Sequence, residues 1–422
     1  MKIDLEELIE QQIISAETAE KIKAYYQKDG EHSNKILFLV FGILGALLVS
    51  LGIILIIAHN WDQLGRGVKT FLAVLPLLLA QAIGFYTLKQ KYQSKAWREV
   101  SAILIFFAIA ASISMVAQVY HISGDRLQFL LTWLLLALPL IYIFRSSFVS
   151  ILYLVVALYF FNETHAWRNR ANDTMRMLYW LLLALQLPYY FYLIKTQPKG
   201  NFTAIHHWLI AGSVLVALSG FESGSGDWMF LAYIGLLGVY VWLGYLPYFN
   251  SLKTYKNAYK LIGVLGLLGT LLFLSFNVFW KHHRISGLTE SLSFSVFWIF
   301  TGTILLQLFL QRRMSRQKNF NLKNPVLFLS AAIIFIYFID LWMPVGAVLT
   351  NLTALFMGLY FIRKGNRMQN LLYLNFGMLI IIGLIIARFF DSNLSFVVRG
   401  ILFVLLGLAF FMANYILLKR KK

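Results

Sequence analysis

Two short polar segments hold most of the residues in this chain that could do chemistry. Each segment has a histidine and an aspartate. The segments contain His59, Asn60, Trp61 and Asp62, and then Gln118, Tyr120, His121, Asp125 and Arg126. A histidine beside a carboxylate can transfer protons near neutral pH, and arginine and amide groups can bind an anionic or sugar-like ligand. If the first four helices pack as two neighbouring hairpins, the two segments lie side by side on one face, and these nine residues form one ligand-binding site. A simpler alternative is that Trp and Tyr anchor helices at a membrane interface, while Asp and Arg cap helices and pair at the surface.

A second group of polar residues lies in the last fifth of the chain and consists of Asp340, Arg388, Asp391 and Arg399. Arg388 and Asp391 are close to one helical turn apart, so a pair within one helix is a simple explanation. Asp340 interrupts the apolar run 325–362. Broken helices line substrate sites in transporters, but a tight turn between two helices explains the same residues. Both interpretations stay open for this second group.

Motifs for metals, cofactors and nucleotides are missing from the sequence. The chain has no Cys, and its two His pairs, His206-His207 and His282-His283, are adjacent. A helical metal pair needs histidines four residues apart, as in the HExxH motif, which is not present. A phosphate-binding glycine loop is not present either. We therefore predict no metal site, no cofactor and no ATP-driven mechanism within this chain.

The elements that must position these residues are membrane-spanning helices. The chain is 59% hydrophobic and 13% charged, with a mean hydropathy of +0.70, whereas soluble domains carry about 25% charged residues. Its continuous apolar runs are near the length of about 20 residues that a spanning helix needs, and they do not alternate as barrel strands do. The sequence predicts an all-α polytopic integral membrane helical bundle with about fourteen transmembrane helices. These spans are 36–58, 67–88, 98–119, 127–144, 147–161, 175–194, 204–220, 228–246, 258–278, 292–310, 325–341, 345–362, 368–390 and 394–418.

Acidic and basic residues alternate between successive loops, as they do in a protein that crosses a membrane many times. Apart from Glu99 and the eight acidic residues in 4–31, every Asp and Glu lies in an odd-numbered loop between spans. The even-numbered loops and the C-terminus hold 22 Lys and Arg, against 10 in the odd loops. The positive-inside rule therefore puts both termini in the cytoplasm and the first group of polar residues outside. The net charge of +19 follows from these basic loops, so we expect the lipid bilayer as a partner and no nucleic acid.

The first 34 residues differ from the rest because they are polar. Leu5, Leu8 and Ile9 have helical spacing, and Ser15 is a suitable N-cap for a second helix. We predict a small N-terminal cytoplasmic helical hairpin over 1–34, which either only covers the membrane domain or docks a cytoplasmic protein partner. It precedes an N-terminal membrane domain over 35–160 and a C-terminal membrane domain over 161–422.

The chain from Asp4 to about residue 160 resembles a family of bacterial membrane proteins known as domain of unknown function 2157. The resemblance rests on the polar N-terminal segment, on GIILIIAHNWDQLGRGVK and on AQVYHISGD. It implies a multi-pass protein of the bacterial cytoplasmic (inner) membrane. It implies no activity, because the family has none assigned.

Three functions remain open after these observations. The leading one is a transporter-like or permease-like protein for a small-molecule ligand, favoured by the number of spans and the short loops. A possible internal repeat also favours it, since the first and thirteenth spans open with Phe41-Gly42 and Phe376-Gly377. The alternatives are a membrane enzyme that acts on a lipid-linked or envelope substrate at the exterior face, and a non-catalytic membrane scaffold or sensor that works through residues 1–34.

Overall fold

The computed structural model describes residues 65–165, 173–221, 226–281, 295–317 and 323–391, with short pieces before and after them. Every regular element within these ranges is helical. The chain divides into two compact units, Met1–Thr196 and Gln197–Lys422. The domain boundary predicted after residue 160 stays a prediction.

The helices are numbered along the chain. The first unit contains α1 (Arg66–Gln90), α2 (Lys95–Val119), α3 (Arg126–Ile143), α4 (Ser147–His165) and α5 (Asp173–Thr196). The second unit contains α6 (Asn201–Ala217), α7 (Gly226–Gly244), α8 (Ala258–Leu274), α9 (Ser295–Ser315), α10 (Leu329–Asp340), α11 (Gly346–Arg367) and α12 (Leu371–Asp391). Short α-helical turns occupy Pro247–Asn250 and Asn277–Trp280, and 3₁₀ turns occupy Leu218–Phe221, Thr254–Lys256 and Pro325–Phe328.

Ten helices in the described part of the chain are long and apolar enough to cross a membrane. Each predicted span between residues 67 and 390 coincides with one of the numbered helices. Two of these, Ala258–Leu274 and Pro325–Asp340, are shorter than a usual span. The predicted spans 36–58 and 394–418 and the hairpin over 1–34 fall mainly outside the described residues. The all-helical class is therefore confirmed, while the count of fourteen and the hairpin stay predictions.

Small polar side chains join α1 to α2 inside the first unit. The hydroxyls of Thr87 and Ser101 lie 2.7 Å apart and are buried, and the Ser112 hydroxyl donates to the Ala73 carbonyl at 2.6 Å. On the other side of α2, the Trp133 indole of α3 donates to the Phe106 carbonyl at 2.9 Å. These contacts fix α2 between α1 and α3.

A buried carboxylate positions the start of α4. Glu99 of α2 is only 1% exposed, and it is the acidic residue that did not follow the sorting of charge along the chain. It accepts from the backbone N–H groups of Ser147 at 3.0 Å and Phe148 at 3.2 Å, and from the Ser146 hydroxyl. The Ser146 oxygen in turn accepts from the Val149 N–H at 3.1 Å. Glu99 and Ser146 together satisfy the first N–H groups of α4, which otherwise have no partner within the helix.

Close helix contacts and buried amides hold the second unit together. Gly263 and Gly266 of α8 pack directly against α7. A Cβ atom at either position would lie within 3 Å of atoms of Val241 or Leu237, so only glycine fits there without a shift. Deeper in the unit, the Gln307 amide donates to the Gly235 carbonyl at 3.0 Å and accepts from the Ser330 hydroxyl at 2.7 Å. These bonds join α9 to α7 and α10. Hydrogen bonds of this kind between helices are typical of bundle packing in a membrane.

Candidate functional site

The first group of predicted site residues is only partly described. His59, Asn60, Trp61 and Asp62 lie outside the described residues. Gln118, Tyr120, His121, Asp125 and Arg126 lie where α2 ends and α3 begins. This is the end of the first unit that the positive-inside rule predicts to be exterior, and we call it the predicted exterior end. Convergence of the two histidines and two aspartates on one ligand stays a prediction.

His121 terminates α2. Its φ is 51°, which is in the left-handed region, and the following Ile122 N–H donates back to the Ala117 carbonyl at 2.9 Å. This is the hydrogen bond of a Schellman motif, in which the residue after the C-cap usually is glycine. His121 therefore has a backbone role that does not depend on its imidazole.

Tyr120 connects the end of α2 to the start of α1. The Thr70 and Tyr120 hydroxyls lie 3.3 Å apart, and the Thr70 hydroxyl donates to the carbonyl of Arg66, the first residue of α1, at 3.0 Å. The start of α1 therefore lies next to the loop between α2 and α3.

Asp125 and Arg126 make separate contacts at the start of α3. The Asp125 carboxylate accepts from the Leu127 N–H at 3.4 Å and caps the helix. Arg126 donates to Glu163, near the end of α4, at 2.8 Å. The Arg126 side chain is 64% exposed and that of Glu163 is 17% exposed. Arg126 therefore pairs across a helix hairpin and not with its own neighbour Asp125.

A cleft opens between α2, α3 and α4 at this end. Its volume is about 1030 Å³, at the upper limit of the ~300–1,000 Å³ typical of small-molecule sites. Its polar lining residues are Ser112, Ser114, Asp125, Arg126, Gln128, Thr132 and Glu163. Of the predicted residues that are described, Asp125 and Arg126 line the cleft, whereas Gln118, Tyr120 and His121 do not. The described charged groups of the lining are two carboxylates and one guanidinium, so they sum to one negative charge.

An apolar furrow adjoins the cleft. It has a volume of about 410 Å³ and is lined by side chains of α1, α2 and α3, among them Leu77, Ile109 and Leu136. Ser112 and Ile113 line both spaces. The polar cleft therefore continues along the helices into a surface that carries mainly hydrocarbon side chains.

Two residues of the second group, Asp340 and Arg388, make hydrogen bonds to the backbone at helix ends of the second unit. Asp340 is 8% exposed, and its carboxylate accepts from the Gly346 N–H at 2.5 Å across the turn between α10 and α11. Asp340 thus lies at a tight turn between two helices, and a role in a substrate site stays a prediction. Arg388 donates to the Ser275 carbonyl at the end of α8, a favourable position for a cation beside a helix C-terminus. Asp391 ends α12 with an undescribed side chain, and Arg399 lies outside the described residues.

Sequence reasoning did not single out Glu163, the partner of Arg126. The sequence could have predicted this pair, because Arg126 and Glu163 are separated from the turn at Arg145 by nearly the same number of residues. In an antiparallel hairpin, such residues meet at the same end. Among the described residues, no group of three His, Asp or Glu side chains could hold a metal ion. The chemistry that the described cleft can perform is recognition by hydrogen bonds and charge.

One protein family matches the sequence of the first unit. The family described as "Predicted membrane protein (DUF2157)" matches residues 6–150, which confirms the resemblance over the N-terminal third of the chain. No curated protein and no solved structure matches. With its many apolar helices, the chain is a multi-pass membrane protein.

Proposed function

We propose that this protein is a transporter-like membrane protein that takes a small polar solute at the cleft between α2, α3 and α4. The observation that carries the proposal is the cleft itself, which has room for a solute and offers polar groups from three helices. The excess of one carboxylate favours a solute with hydroxyl or amino groups, because carboxylates accept hydrogen bonds from both.

The position of the cleft also supports a transport role. Ser112 and Ser114 lie one to two turns inside the end of α2, so the cleft extends into the depth of the helices. Polar groups at membrane depth are uncommon and usually functional. On the predicted orientation, a solute would enter the cleft from outside the cell.

Uptake by purified protein in liposomes tests this proposal. Solutes are screened in classes that comprise sugars, polyols, amines, amino acids and inorganic ions. Thr132→Trp places a large side chain on the cleft lining and should lower uptake of the transported solute. Leu135→Trp adds the same side chain at an exposed position of the same helix outside the lining, and it should leave uptake unchanged. Equal uptake by both variants and the original protein would reject the cleft as the solute site.

The apolar furrow favours one alternative, a membrane enzyme that acts on a lipid-linked substrate. Such a substrate would place its headgroup in the cleft and its chain against Leu136 and its neighbours in the furrow. Leu136→Trp should then lower binding of a lipid-linked substrate while uptake of a small solute is unaffected. A scaffold or sensor role through residues 1–34 stays a prediction, because that segment is largely outside the described residues.

A further inference from the structure

Two lysines lie on a cluster of tyrosine rings at the end of the second unit where α7 ends and α8 begins. The Lys260 ammonium is 4.3 Å from the centre of the Tyr245 ring. The Lys364 ammonium is 4.8 Å from the Tyr373 ring and 5.6 Å from the Tyr360 ring. We call these five residues the lysine–tyrosine cluster. Ammonium groups at these distances are attracted by the faces of aromatic rings.

Four helices and one buried amide bring the cluster together. Tyr245 directly follows α7, Lys260 lies in the first turn of α8, Tyr360 and Lys364 end α11, and Tyr373 begins α12. The Tyr360 hydroxyl donates to the Asn324 side chain at 3.1 Å. Asn324 is buried and precedes the 3₁₀ turn before α10. The cluster is therefore built by distant parts of the second unit and not by a local charge run.

The positive charge of the cluster has no carboxylate beside it in the described part of the chain. Lys260 donates to the neutral Asn250 side chain at 3.2 Å, and the charges of Lys260 and Lys364 repel each other. The described acidic residues of this unit, Asp227, Asp340 and Asp391, lie at the other ends of their helices. The tyrosines do not neutralise the lysines either, since a phenol is neutral near pH 7.

We propose that the lysine–tyrosine cluster binds a phosphate group through the two ammonium groups. Each ammonium has three donors, and a phosphate supplies the missing negative charge with several acceptor oxygens. The positive-inside rule predicts that this end of the unit faces the cytoplasm. Basic pockets between transmembrane helices on that side bind phospholipid headgroups, and a dissolved phosphate offers the same chemistry. This site is independent of the exterior cleft and of the proposed transport role.

Binding of defined ligands to the purified full-length protein in neutral detergent tests the proposal. The lipid ligands are phosphatidylglycerol and phosphatidylcholine, measured as bound adducts by native mass spectrometry. Inorganic phosphate is measured by the rise in thermal unfolding temperature. Lys260→Gln with Lys364→Gln should weaken phosphatidylglycerol binding about 30-fold, because each lysine near an anionic lipid surface contributes about 5-fold.

The matched control removes two charges beside the cluster. Lys253 and Arg363 are exposed residues near Lys260 and Lys364 in sequence, and Lys253→Gln with Arg363→Gln should change binding less than about 3-fold, as expected for solvent-screened charges. Should the first double variant fail to fold, Lys364→Gln alone is compared with Arg363→Gln alone. The Lys364 ammonium lies over the rings of Tyr360 and Tyr373, and its loss should weaken binding about 5-fold.

The two ligand arms identify the source of the phosphate. Selective binding of phosphatidylglycerol that is lost in the cluster variant supports a lipid headgroup. Stabilisation by inorganic phosphate that is lost in the same variant, without preference between the lipids, supports a dissolved phosphate. The proposal is overturned if neither ligand binds, or if the control variant weakens binding as much as the cluster variant.

Discussion

Glu99→Gln should loosen the start of α4 while leaving the shape of the side chain almost unchanged. The two carboxylate oxygens each accept from a different backbone N–H, those of Ser147 and Phe148. An amide has one oxygen and one NH₂ group, so in either orientation one backbone N–H faces a donor. A buried donor without a partner costs about 1–3 kcal/mol, and the lost charge at a helix N-terminus adds up to about 2 kcal/mol.

An opposing effect limits this magnitude. Glu99 is almost fully buried, and its replacement by a neutral group removes the unfavourable transfer of a charge out of water. We therefore expect a net loss of about 1–3 kcal/mol in the opening free energy of the first turn of α4, dominated by the orphaned N–H. This corresponds to an increase of about 5- to 150-fold in amide exchange.

Hydrogen–deuterium exchange in detergent measures this effect on peptides that cover residues 146–150. Asp125→Asn is the matched control, because asparagine caps helices as well as aspartate does, and exchange at the start of α3 should stay unchanged. Unchanged exchange at the start of α4 in Glu99→Gln would refute the reasoning that the Glu99 carboxylate fixes this helix.

Two further predictions concern the loop after α2 and the orientation. His121→Gly should raise the free energy of unfolding by about 0.5–1 kcal/mol, because glycine adopts the left-handed conformation without strain; chemical denaturation measures this, and a loss of stability would show that the imidazole is structural. If His121 also binds the solute, uptake should fall in the same, more stable variant. Because the chain has no Cys, single substitutions report orientation cleanly. Ser123→Cys should react with an impermeant thiol reagent on intact cells and Ser94→Cys should not, and the reverse pattern would overturn the predicted orientation.

The helices were predictable from the sequence because the membrane imposes their length and composition. Uninterrupted apolar runs marked each helix between residues 67 and 390, and polar breaks such as the one at Asp340 marked a turn. In the described part of the chain, the acidic residues of the alternate loops lie at helix ends. Glu163 is in the last turn of α4, and Asp227 is in the first turn of α7.

The contacts between helices were much less predictable. The order of the spans and the positions of Lys and Arg predict the side of the membrane on which a loop lies. They do not predict which helices are neighbours. The ion pair between Arg126 and Glu163, the capping of α4 by Glu99 and the approach of Lys260 to Lys364 all depend on that packing. The role of His121 was also not predictable from its residue type. Histidine suggested acid–base chemistry, whereas the left-handed backbone of His121 ends α2.

Thiol labelling inside the cleft tests the central claim most directly, namely that a polar cleft in the first unit is open to the exterior. Ser114 is exposed and lines the cleft about one turn inside the end of α2. If the cleft is open to the exterior, Ser114→Cys on intact cells should react with a charged, membrane-impermeant thiol reagent, and a transported solute should slow this reaction. Labelling of Ser114→Cys only by a lipid-soluble reagent, with no reaction from the aqueous exterior, would contradict an open exterior cleft.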